Sequence, residues 1–563
     1  MFIPTTSNEV KNMRWNELDV ILVSGDTYID SPSDGIVLIG KVLLNAGFKV
    51  GIIAQPDLNS GIDIMRLGEP KLFWGISAGC VDSMVANYTA LLKKKHNDDL
   101  TPGGLNNKRP DRATIVYTNL IKRYFKNTAP IILGGIEASL RRIAHYDYWS
   151  NSIRRSVLFD AKADAIVYGM GEKTILEIAD KMKNGENWFD TRGVCYISNK
   201  LPDTKFVELP PFNEVVADKN KFIEMFKTFY NNNEDINSQT LIQKYENRYW
   251  IQNPTQYLPT TEEIDGYYKL NFERKPHPYY QRQGKIKALE TIQFSITSHR
   301  GCYAECNFCS ITVHQGKRIV SRSEQSIIDE VKLLTQHQDF KGYISDIGGP
   351  TANMYKNACK AKINKPMCSN KKCIFPDVCK AMEINHQSQI SLLQKVRQIS
   401  EIKKIFIASG VRYDLVIEDT QNGEKYLSDI IAHHISGQMK IAPEHISENT
   451  LKLMGKNSKY LVQFKKEFDK INKLQGKKQF LTYYFIAAHP GCQERDMHEL
   501  SIFLKKELKL LPEQVQIFTP TPSTYSTLMY YTEIDPFTGE KIFVEKSLKN
   551  KKEQKEIIVK KYQ

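Results

Sequence analysis

The sequence lacks long hydrophobic runs. No stretch of its 563 residues approaches the roughly 18 consecutive apolar residues of a transmembrane helix, so we expect no contact with a membrane. The first 19 residues carry Asn, Glu and Asp where a secretory signal peptide needs an apolar segment. Both absences favour a cytoplasmic protein, in which the ten cysteines stay reduced. Clustered cysteines in such a protein indicate a metal site before a disulfide.

Acidic residues are too few to balance the basic ones. The chain has 78 Lys and Arg against 64 Asp and Glu, which gives a formal charge of +14. The last 23 residues hold eight Lys and three Glu and therefore carry +5 of this charge. We interpret residues 536–563 as a solvated, lysine-rich tail, because its apolar periodicity is weak. The basic balance permits nucleic-acid binding, but no motif in the sequence supports it.

The N-terminal part has no G-x-G-x-x-G sequence after a strand, so nothing in it supports dinucleotide binding. Short β-branched runs alternate there with helical periodicity, which is typical of βαβ units and an open parallel sheet. The predicted strands are 19–26, 50–54, 72–76, 130–135 and 163–169, with helices at 36–46 and 173–182. We therefore predict an α/β domain over residues 1–200. Residues 201–290 lose this pattern, which predicts a connecting region of helices and loops.

Seven of the ten cysteines lie between Cys302 and Cys379. The first three, Cys302, Cys306 and Cys309, have the spacing C-x3-C-x2-C directly after a predicted strand at 293–299. Three thiolates on one short loop can bind three corners of a cubane 4Fe-4S cluster. The loop lacks a fourth cysteine, which leaves one iron free for a ligand, as a catalytic metal site requires. A zinc site is the alternative, although zinc normally takes four ligands.

This loop resembles that of the radical S-adenosylmethionine (SAM) enzymes, in which an aromatic residue such as Phe308 precedes the last cysteine. Further segments of that superfamily follow in order, namely GG at 348–349, ASGVR at 408–412, KIAPEH at 440–445, FIAAHPG at 485–491 and FTPTPS at 518–523. The resemblance implies a partial (β/α)6 radical SAM barrel over residues 291–535, with a cysteine-rich insertion at 356–382. It also implies a 4Fe-4S cluster on the three cysteines, with SAM bound at the open iron.

The resemblance further implies which residues contact SAM. The backbone of Gly348 and Gly349 would hold the methionyl amine, because only glycine lets the backbone approach a ligand so closely. Ser409 lies where family members contact the ribose or the carboxylate. Phe308 is a candidate for packing on the adenine, or packs within its own loop. Arg412 and Glu444 are candidate polar contacts, for which an ordinary ion pair at the barrel end is the alternative.

The closest resemblance is to the YgiQ-type radical SAM proteins. It rests on segments such as GGIEASLRRIAHYDYW at 134–149 and GGPTANMYKNACK at 348–360, and it extends to about residue 535. It implies an enzyme that cleaves SAM with one electron from a reductant such as flavodoxin or ferredoxin. The products would be methionine and a 5′-deoxyadenosyl radical that abstracts hydrogen from a substrate. The substrate does not follow from the sequence: RNA, a protein and a small metabolite all remain open.

A second set of cysteines lies in the insertion directly after the Gly-Gly pair. Its members are Cys359, Cys368, Cys373 and Cys379. Four thiols fit a closed site, either a second 4Fe-4S cluster or a structural zinc ion. Four unligated thiols are the alternative, which their clustering in a polar, lysine-rich insertion disfavours. The remaining cysteines, Cys80, Cys195 and Cys492, are expected to be structural.

The N-terminal α/β domain resembles the cobalamin-binding domains that precede many radical SAM barrels. In those domains a histidine in D-x-H-x-x-G ligates the cobalt. Here the corresponding stretch is Asp30 to Gly35, and Pro32 stands in the place of the histidine. Proline has no atom that can ligate a metal, so the sequence predicts that cobalamin is an unlikely cofactor, with binding that uses no protein ligand to cobalt as the alternative.

Two classes of function follow. The first is a radical SAM enzyme of unknown specific reaction. The second is a non-catalytic iron–sulfur or zinc protein, such as a redox sensor or an RNA-binding module, which the basic tail and the lysine-rich insertion favour weakly. Formation of 5′-deoxyadenosine from SAM distinguishes them, because only the first class produces it.

Overall fold

The computed structural model describes residues 1–363, 365–510, 512 and 515–559. They form two compact units. The first comprises Met1–Pro259, Gly266–Gln293 and Thr521–Ser523, and the second comprises the described residues of Thr260–Asp265, Phe294–Pro520 and Thr524–Gln563. Each unit has its own hydrophobic core.

The first unit is built on a sheet that has nine strands among the described residues, in the spatial order β2-β1-β3-β4-β7-β8-β11-β10-β9. These strands and a separate β5–β6 hairpin are β1 (Val20–Ser24), β2 (Val50–Ala54), β3 (Phe73–Ser77), β4 (Ile131–Gly134), β5 (His145–Asp147), β6 (Ser152–Arg154), β7 (Ala165–Val167), β8 (Val194–Ser198), β9 (Phe206–Leu209), β10 (Thr240–Tyr245) and β11 (Arg248–Gln252). Strands β2, β1, β3, β4 and β7 are parallel, which confirms the predicted α/β class with a large parallel sheet.

Helices alternate with these strands along the chain. Those up to residue 293 are α1 (Ser7–Asn12), α2 (Gly35–Asn45), α3 (Ile62–Met65), α4 (Ser83–Asn87), α5 (Ala113–Tyr124), α6 (Gly135–Leu140), α7 (Val157–Ala161), α8 (Glu172–Lys183), α9 (Phe212–Ala217), α10 (Lys219–Asn231), α11 (Thr261–Lys269), α12 (Pro278–Gln281) and α13 (Leu289–Ile292). Every residue of β1, β2 and β3 is buried, as expected for parallel strands that are covered on both faces.

Buried ion pairs lie where the parallel strands end. Asp26 follows β1 and pairs with Arg109, which also lies 3.2 Å from Asp98. Arg141, which follows α6, pairs with the carboxylate of Asp82 at 2.7 Å and with that of Asp147 at 2.9 Å. Removal of one partner from such a pair leaves an uncompensated buried charge, so these residues fix the conformation of the loops at this edge.

Residues 201–290, which we predicted to be a connecting region, instead contain β9, β10 and β11 and extend the sheet of the first unit. Polar residues that are buried there conceal the strand pattern. Gln243 and Gln252 are both fully buried. The Gln243 amide donates to the Pro210 carbonyl at 3.0 Å, and Gln252 accepts from Arg142 at 2.9 Å. These hydrogen bonds satisfy the Gln243 amide nitrogen and the Gln252 amide oxygen, which offsets part of the cost of burying two amides in strands.

The second unit contains strands that follow one another in parallel. Its strands are β12 (Ser295–Thr297), β13 (His299–Arg300), β14 (Val320–Ser321), β15 (Tyr343–Ile344), β16 (Asp346–Gly348), β17 (Ala358–Cys359), β18 (Met382–Glu383), β19 (Lys404–Ile405), β20 (Gln438–Glu444), β21 (Phe480–Ala487) and β22 (Val515–Ile517). The pairs β12–β16, β15–β19, β20–β21 and β21–β22 are parallel, and a parallel bridge joins Val411 to Ile441.

Helices alternate with these strands. They are α14 (Ile311–Gln315), α15 (Glu324–Thr335), α16 (Gln387–Arg397), α17 (Tyr413–Glu418), α18 (Gly423–His433), α19 (Glu448–Met454), α20 (Leu461–Leu474), α21 (Glu494–Phe503), α22 (Tyr525–Thr532) and α23 (Leu548–Glu556), with a 3-10 turn at Lys360–Lys362 and a π-helical turn at Leu504–Leu508. In α15, Ile327, Val331 and Leu334 form one buried face, which explains its packing on the strands.

The lysine-rich tail differs from the solvated segment that its composition predicts. Within it, α23 packs on the second unit. The Lys551 amino group donates to the Tyr530 hydroxyl at 2.8 Å, and the Gln554 amide oxygen accepts from the Ala488 N–H at 3.0 Å. Both side chains are buried. Because the buried positions are polar, the usual apolar periodicity of a packed helix is absent. Residues 560–563 of the predicted tail lie outside the described residues.

Candidate active site

The three cysteines of the C-x3-C-x2-C sequence lie on one loop, residues 301–310, which we call the cysteine loop. It connects β13 to α14. The Cys302 N–H donates to the Gly316 carbonyl at 3.2 Å, and the Cys309 N–H donates to the Cys306 carbonyl at 3.0 Å. The Asn307 backbone N–H and side-chain amide donate to the carbonyls of Met454 and Leu453 at the end of α19. The bonds from Asn307 hold the loop against the C-terminal end of α19.

The three thiols are close enough to interact electrostatically. Burial, followed by the charges of Cys306 and Cys302, raises the pKa of the Cys309 thiol to about 12. Burial, followed by the charge of Cys306, also raises the pKa of Cys302. A raised pKa is the expected state of clustered thiols without a metal, because a metal cation stabilises the thiolate form.

Three thiols on one loop match the donor set of a cubane cluster that has one open iron. Among the described residues, no group of three or more Cys, His, Asp or Glu side chains is arranged to hold one metal ion. In a cubane each thiolate binds a different iron, so its sulfur ligands are spaced more widely than those of one ion. The Tyr303 hydroxyl is buried beside Cys302 and has no hydrogen-bond partner, so a polar acceptor at this position would satisfy it.

Gly301 allows the loop to turn directly before Cys302. Its φ is +84°, and a Cβ added there would lie 1.8 Å from the Arg318 carbonyl oxygen. We therefore expect Gly301→Ala to lower the free energy of unfolding by at least about 1–2 kcal/mol, the cost of a left-handed alanine alone. Thermal unfolding measures this change. The matched control is Gly266→Ala, because a Cβ at Gly266 meets no atom within 4 Å. An equal effect of both substitutions would contradict this account.

The Gly-Gly pair lies at the end of β16, next to the start of the cysteine loop. A Cβ at Gly349 would lie 2.8 Å from the His299 carbonyl oxygen, and a Cβ at Gly348 would lie 2.8 Å from the Ser409 hydroxyl. The Ser409 hydroxyl donates to Asp346, whose carboxylate also accepts from the Ala408 N–H at 2.8 Å. The structure therefore brings Gly348 and Ser409 together, and at position 349 the His299 backbone leaves no room for a side chain.

Arg412 reaches the cysteine loop. Its Nη1 donates to the Cys306 sulfur at 3.8 Å, while its Nε lies 3.0 Å from Asp414 Oδ1 and its Nη2 donates to the other carboxylate oxygen. Asn353 exchanges two hydrogen bonds with the Arg412 backbone, at 2.8 and 3.0 Å. Arg412 therefore forms an ion pair, which the sequence left open as the alternative to a contact with SAM, and the same guanidinium also faces a thiol.

Glu444 ends β20 with a φ of +67°. Its carboxylate lies 3.2 Å from the Lys456 amino group, and its charge contributes to raising the pKa of Cys309. Phe308 is placed differently from these groups, with its ring packed edge-on against His489 at a centroid distance of 6.3 Å. The geometry favours loop packing for Phe308 and does not test its contact with adenine.

Three residues of this arrangement were not identified from the sequence. Asp346, Asn353 and Lys456 position Ser409, Arg412 and Glu444 respectively. Asp346 lies two residues before Gly348, and an acidic residue within a predicted strand is a signal that the sequence does contain. Asn353 and Lys456 lie in ordinary loop sequences, so only the tertiary contacts identify them.

No helix among the described residues is long and apolar enough to cross a membrane.

Comparison with known proteins identifies the relatives of this chain. Residues 2–295 match the family model described as Radical SAM N-terminal. A UPF0313 protein of Fusobacterium nucleatum is 55% identical over 562 residues, which cover 100% of this chain and 99% of the relative. A UPF0313 protein of Thermotoga maritima is 48% identical over 565 residues, covering 99% of this chain and 98% of the relative.

Two solved structures share the fold at low sequence identity. The radical SAM methyltransferase TsrM of Kitasatospora setae, solved with cobalamin and a 4Fe-4S cluster bound, has a TM-score of 0.51 at 13% identity and covers 90% of this chain and 73% of TsrM. The cobalamin-dependent SAM radical enzyme OxsB, solved with aqua-cobalamin and SAM bound, has a TM-score of 0.50 at 14% identity and covers 98% of this chain and 57% of OxsB.

These structures correct one prediction. The prediction that cobalamin is an unlikely cofactor is wrong, because proteins with this fold have been solved with cobalamin bound. Pro32 excludes a cobalt ligand from that side chain alone. It does not exclude the cofactor, which can be held by contacts other than a protein–cobalt bond.

Proposed function

Because the chain belongs to the radical SAM family, in its UPF0313 group, we propose that it binds a 4Fe-4S cluster and cleaves SAM reductively. The proposed cluster ligands are Cys302, Cys306 and Cys309. The observation that carries the proposal is their placement on one loop, with the Arg412 guanidinium on the Cys306 sulfur and the charge of Glu444 near Cys309. The parallel strands of the second unit support a partial (β/α)6 barrel around this site.

A cluster held by these cysteines would supply the one electron that breaks the C5′–S bond of SAM and releases methionine, and the resulting 5′-deoxyadenosyl radical would take a hydrogen atom from the substrate. The residues of this chain bind and orient the reactants. The backbone of Gly348 and Gly349 would hold the methionyl amine, and the absence of a Cβ at both positions leaves room for Ser409 and His299 beside it. Ser409, which hydrogen-bonds to Asp346, would contact a hydroxyl or carboxylate of SAM. Lys456 holds the Glu444 carboxylate in place.

Arg412 has a second task in this proposal. Its guanidinium places a positively charged donor beside the Cys306 sulfur, one of the proposed cluster ligands. Asp414 and Asn353 hold the arginine so that little ordering is needed when the ligands bind. Burial of Cys302 and Tyr303 keeps water from this side of the site.

The proposal is tested with the full-length protein, reconstituted with iron and sulfide in the absence of oxygen and then supplied with dithionite and SAM. We expect equal amounts of 5′-deoxyadenosine and methionine, measured by mass spectrometry. Absence of 5′-deoxyadenosine under all reducing conditions would contradict the proposal and favour a non-catalytic metal protein. S-adenosylhomocysteine as the main product would indicate methyl transfer and would also contradict reductive cleavage.

A further inference from the structure

The four cysteines of the insertion are brought together by its backbone. Cys359 pairs with Met382 across the β17–β18 ladder. The Met382 N–H donates to the Cys379 carbonyl at 2.8 Å, and the Cys379 N–H donates to the Cys373 carbonyl at 2.8 Å. A continuous path of hydrogen-bonded backbone therefore connects three of the four cysteines, although up to 20 residues separate them in the sequence.

The fourth cysteine belongs to the same group. The pKa of the Cys373 thiol is raised to about 12. Burial is the largest cause and the charge of Glu305 is the second, followed by the charges of Cys359, Cys368 and Cys379. All four are free thiols, and three are only partly buried. Thiols that serve only as small apolar residues are usually buried in a core, whereas these lie in a polar, lysine-rich segment. Their grouping therefore indicates a ligand set.

This group directly adjoins the cysteine loop. Lys372, the neighbour of Cys373, donates through its amino group to the Glu305 carbonyl at 2.6 Å and to Asn307 Oδ1 at 2.5 Å, on either side of Cys306. Cys302, Tyr303 and Cys373 also belong to one packed cluster of buried residues. The charges of both Cys302 and Cys373 act on the Tyr303 hydroxyl. Cys373 of the second set and Cys302 of the first therefore lie in the same packed region.

The insertion also has a strong charge. Residues 356–382 contain seven Lys and one Asp, a net charge of +6. Lys360, Lys365, Lys371 and Lys380 are exposed. Such a surface attracts an acidic protein by electrostatic steering, which raises the association rate and makes it dependent on salt.

We propose that Cys359, Cys368, Cys373 and Cys379 bind a second 4Fe-4S cluster, which passes electrons from an acidic one-electron carrier protein to the cluster on the cysteine loop. The inference rests on the proposed function, since it supplies the electron that SAM cleavage consumes. In each transfer the carrier is oxidised by one electron and the second cluster is reduced by one. The second cluster then returns to its starting state as the same electron moves on, and no covalent bond changes in this relay.

The metal content of the anaerobically reconstituted full-length protein tests the site directly. We expect about eight iron and eight sulfide ions per chain, because two cubanes contain four of each. Replacing the four insertion cysteines together by alanine should leave about four iron ions, with an EPR signal of the remaining reduced cluster that still changes when SAM is added. Cys80→Ala, which removes an exposed thiol elsewhere, should leave the wild-type values.

The relay is tested by comparing two reductants. With reduced flavodoxin as the carrier, the four-cysteine variant should form 5′-deoxyadenosine at least about tenfold more slowly than the wild type, whereas dithionite, a small reductant, should largely restore the rate. Lys365→Glu with Lys371→Glu should slow only the flavodoxin reaction and reduce its salt dependence, with the iron content unchanged.

Several results would overturn the inference. One zinc ion with about four iron ions in the wild type would identify a structural zinc site instead. About four iron ions and no zinc would show that the insertion binds no metal. If the four-cysteine variant and the wild type form 5′-deoxyadenosine at equal rates with flavodoxin, the proposed relay is contradicted. If the four-cysteine variant does not fold, two other iron contents still test the second cluster. They are the iron content of the wild type and that of Cys368→Ala, a substitution at a partly exposed loop position.

Failure of this inference can be distinguished from failure of the proposed function. If the wild type binds about four iron ions and cleaves SAM, only the second cluster is contradicted. If it binds about eight iron ions but forms no 5′-deoxyadenosine with either reductant, the second cluster remains and the proposed function fails.

Discussion

Replacing Cys302, Cys306 and Cys309 together by alanine is expected to abolish 5′-deoxyadenosine formation, to below the detection limit. These three thiols are the whole set of protein ligands that the cysteine loop offers, and alanine cannot bind iron. About four iron ions per chain should be lost at the same time, because one cubane no longer has ligands. Iron analysis and quantification of 5′-deoxyadenosine on the same reconstituted sample measure both effects.

The matched control is Cys80→Ala, which removes one thiol that lies outside both cysteine groups. It should retain full iron content and SAM cleavage. The triple variant should also keep about four iron ions on the insertion, so its remaining metal reports that the chain is folded. SAM cleavage that persists in the triple variant would contradict the assignment of the cluster ligands. Circular dichroism that matches the wild type is needed before a loss of activity is interpreted.

The parallel core of the first unit could be predicted because local sequence and tertiary environment agree there. The runs VILVS at β1 and VGIIA at β2 are fully buried, so each position selects an apolar or small residue. The agreement breaks down in β10 and β11. There the buried Gln243 and Gln252 are compensated by partners distant in sequence, Pro210 and Arg142. No local pattern contains that information.

The cysteine loop and the residues that orient it differ in the same way. The cysteine loop is recognisable because iron ligation needs a fixed residue type at fixed spacing, which is a local property. The groups that orient those ligands are not local. Asn353 and Arg412 are 59 residues apart, and Asp346 and Ser409 are 63 apart. Adjacent parallel strands bring them together, since the carboxyl ends of parallel strands meet at one edge. Their roles follow only from the topology.

The tail gives a further example. Lys551 and Gln554 are residue types that are usually exposed, and composition alone therefore predicts solvent around α23. Their burial depends on Tyr530, Ala488 and Cys492, which accept from or donate to the two side chains. A buried lysine needs a compensating partner, and a hydroxyl more than 20 residues away supplies it here.

Replacing Arg412 by methionine is expected to lower kcat/KM for SAM cleavage by about 10- to 100-fold while the iron content stays near the wild-type value. Methionine keeps much of the side-chain volume but removes the charged donor to Cys306. A charge-assisted hydrogen bond contributes about 1.5–3 kcal/mol, which corresponds to this range of rates. The same change leaves the Asp414 carboxylate buried without its partner, which should lower the free energy of unfolding by about 3 kcal/mol.

The double variant Arg412→Met with Asp414→Asn separates these two effects. A neutral amide no longer needs the guanidinium, so most of the lost stability should return, whereas SAM cleavage should remain slow. The matched control is Arg397→Met, which breaks an equivalent two-bond ion pair with Asp429 in the same unit, with both bonds at 2.9 Å. It should lose stability and retain cleavage. If the double variant recovers both stability and activity, Arg412 acts only by holding the fold, and its proposed role beside the cluster would have to be abandoned.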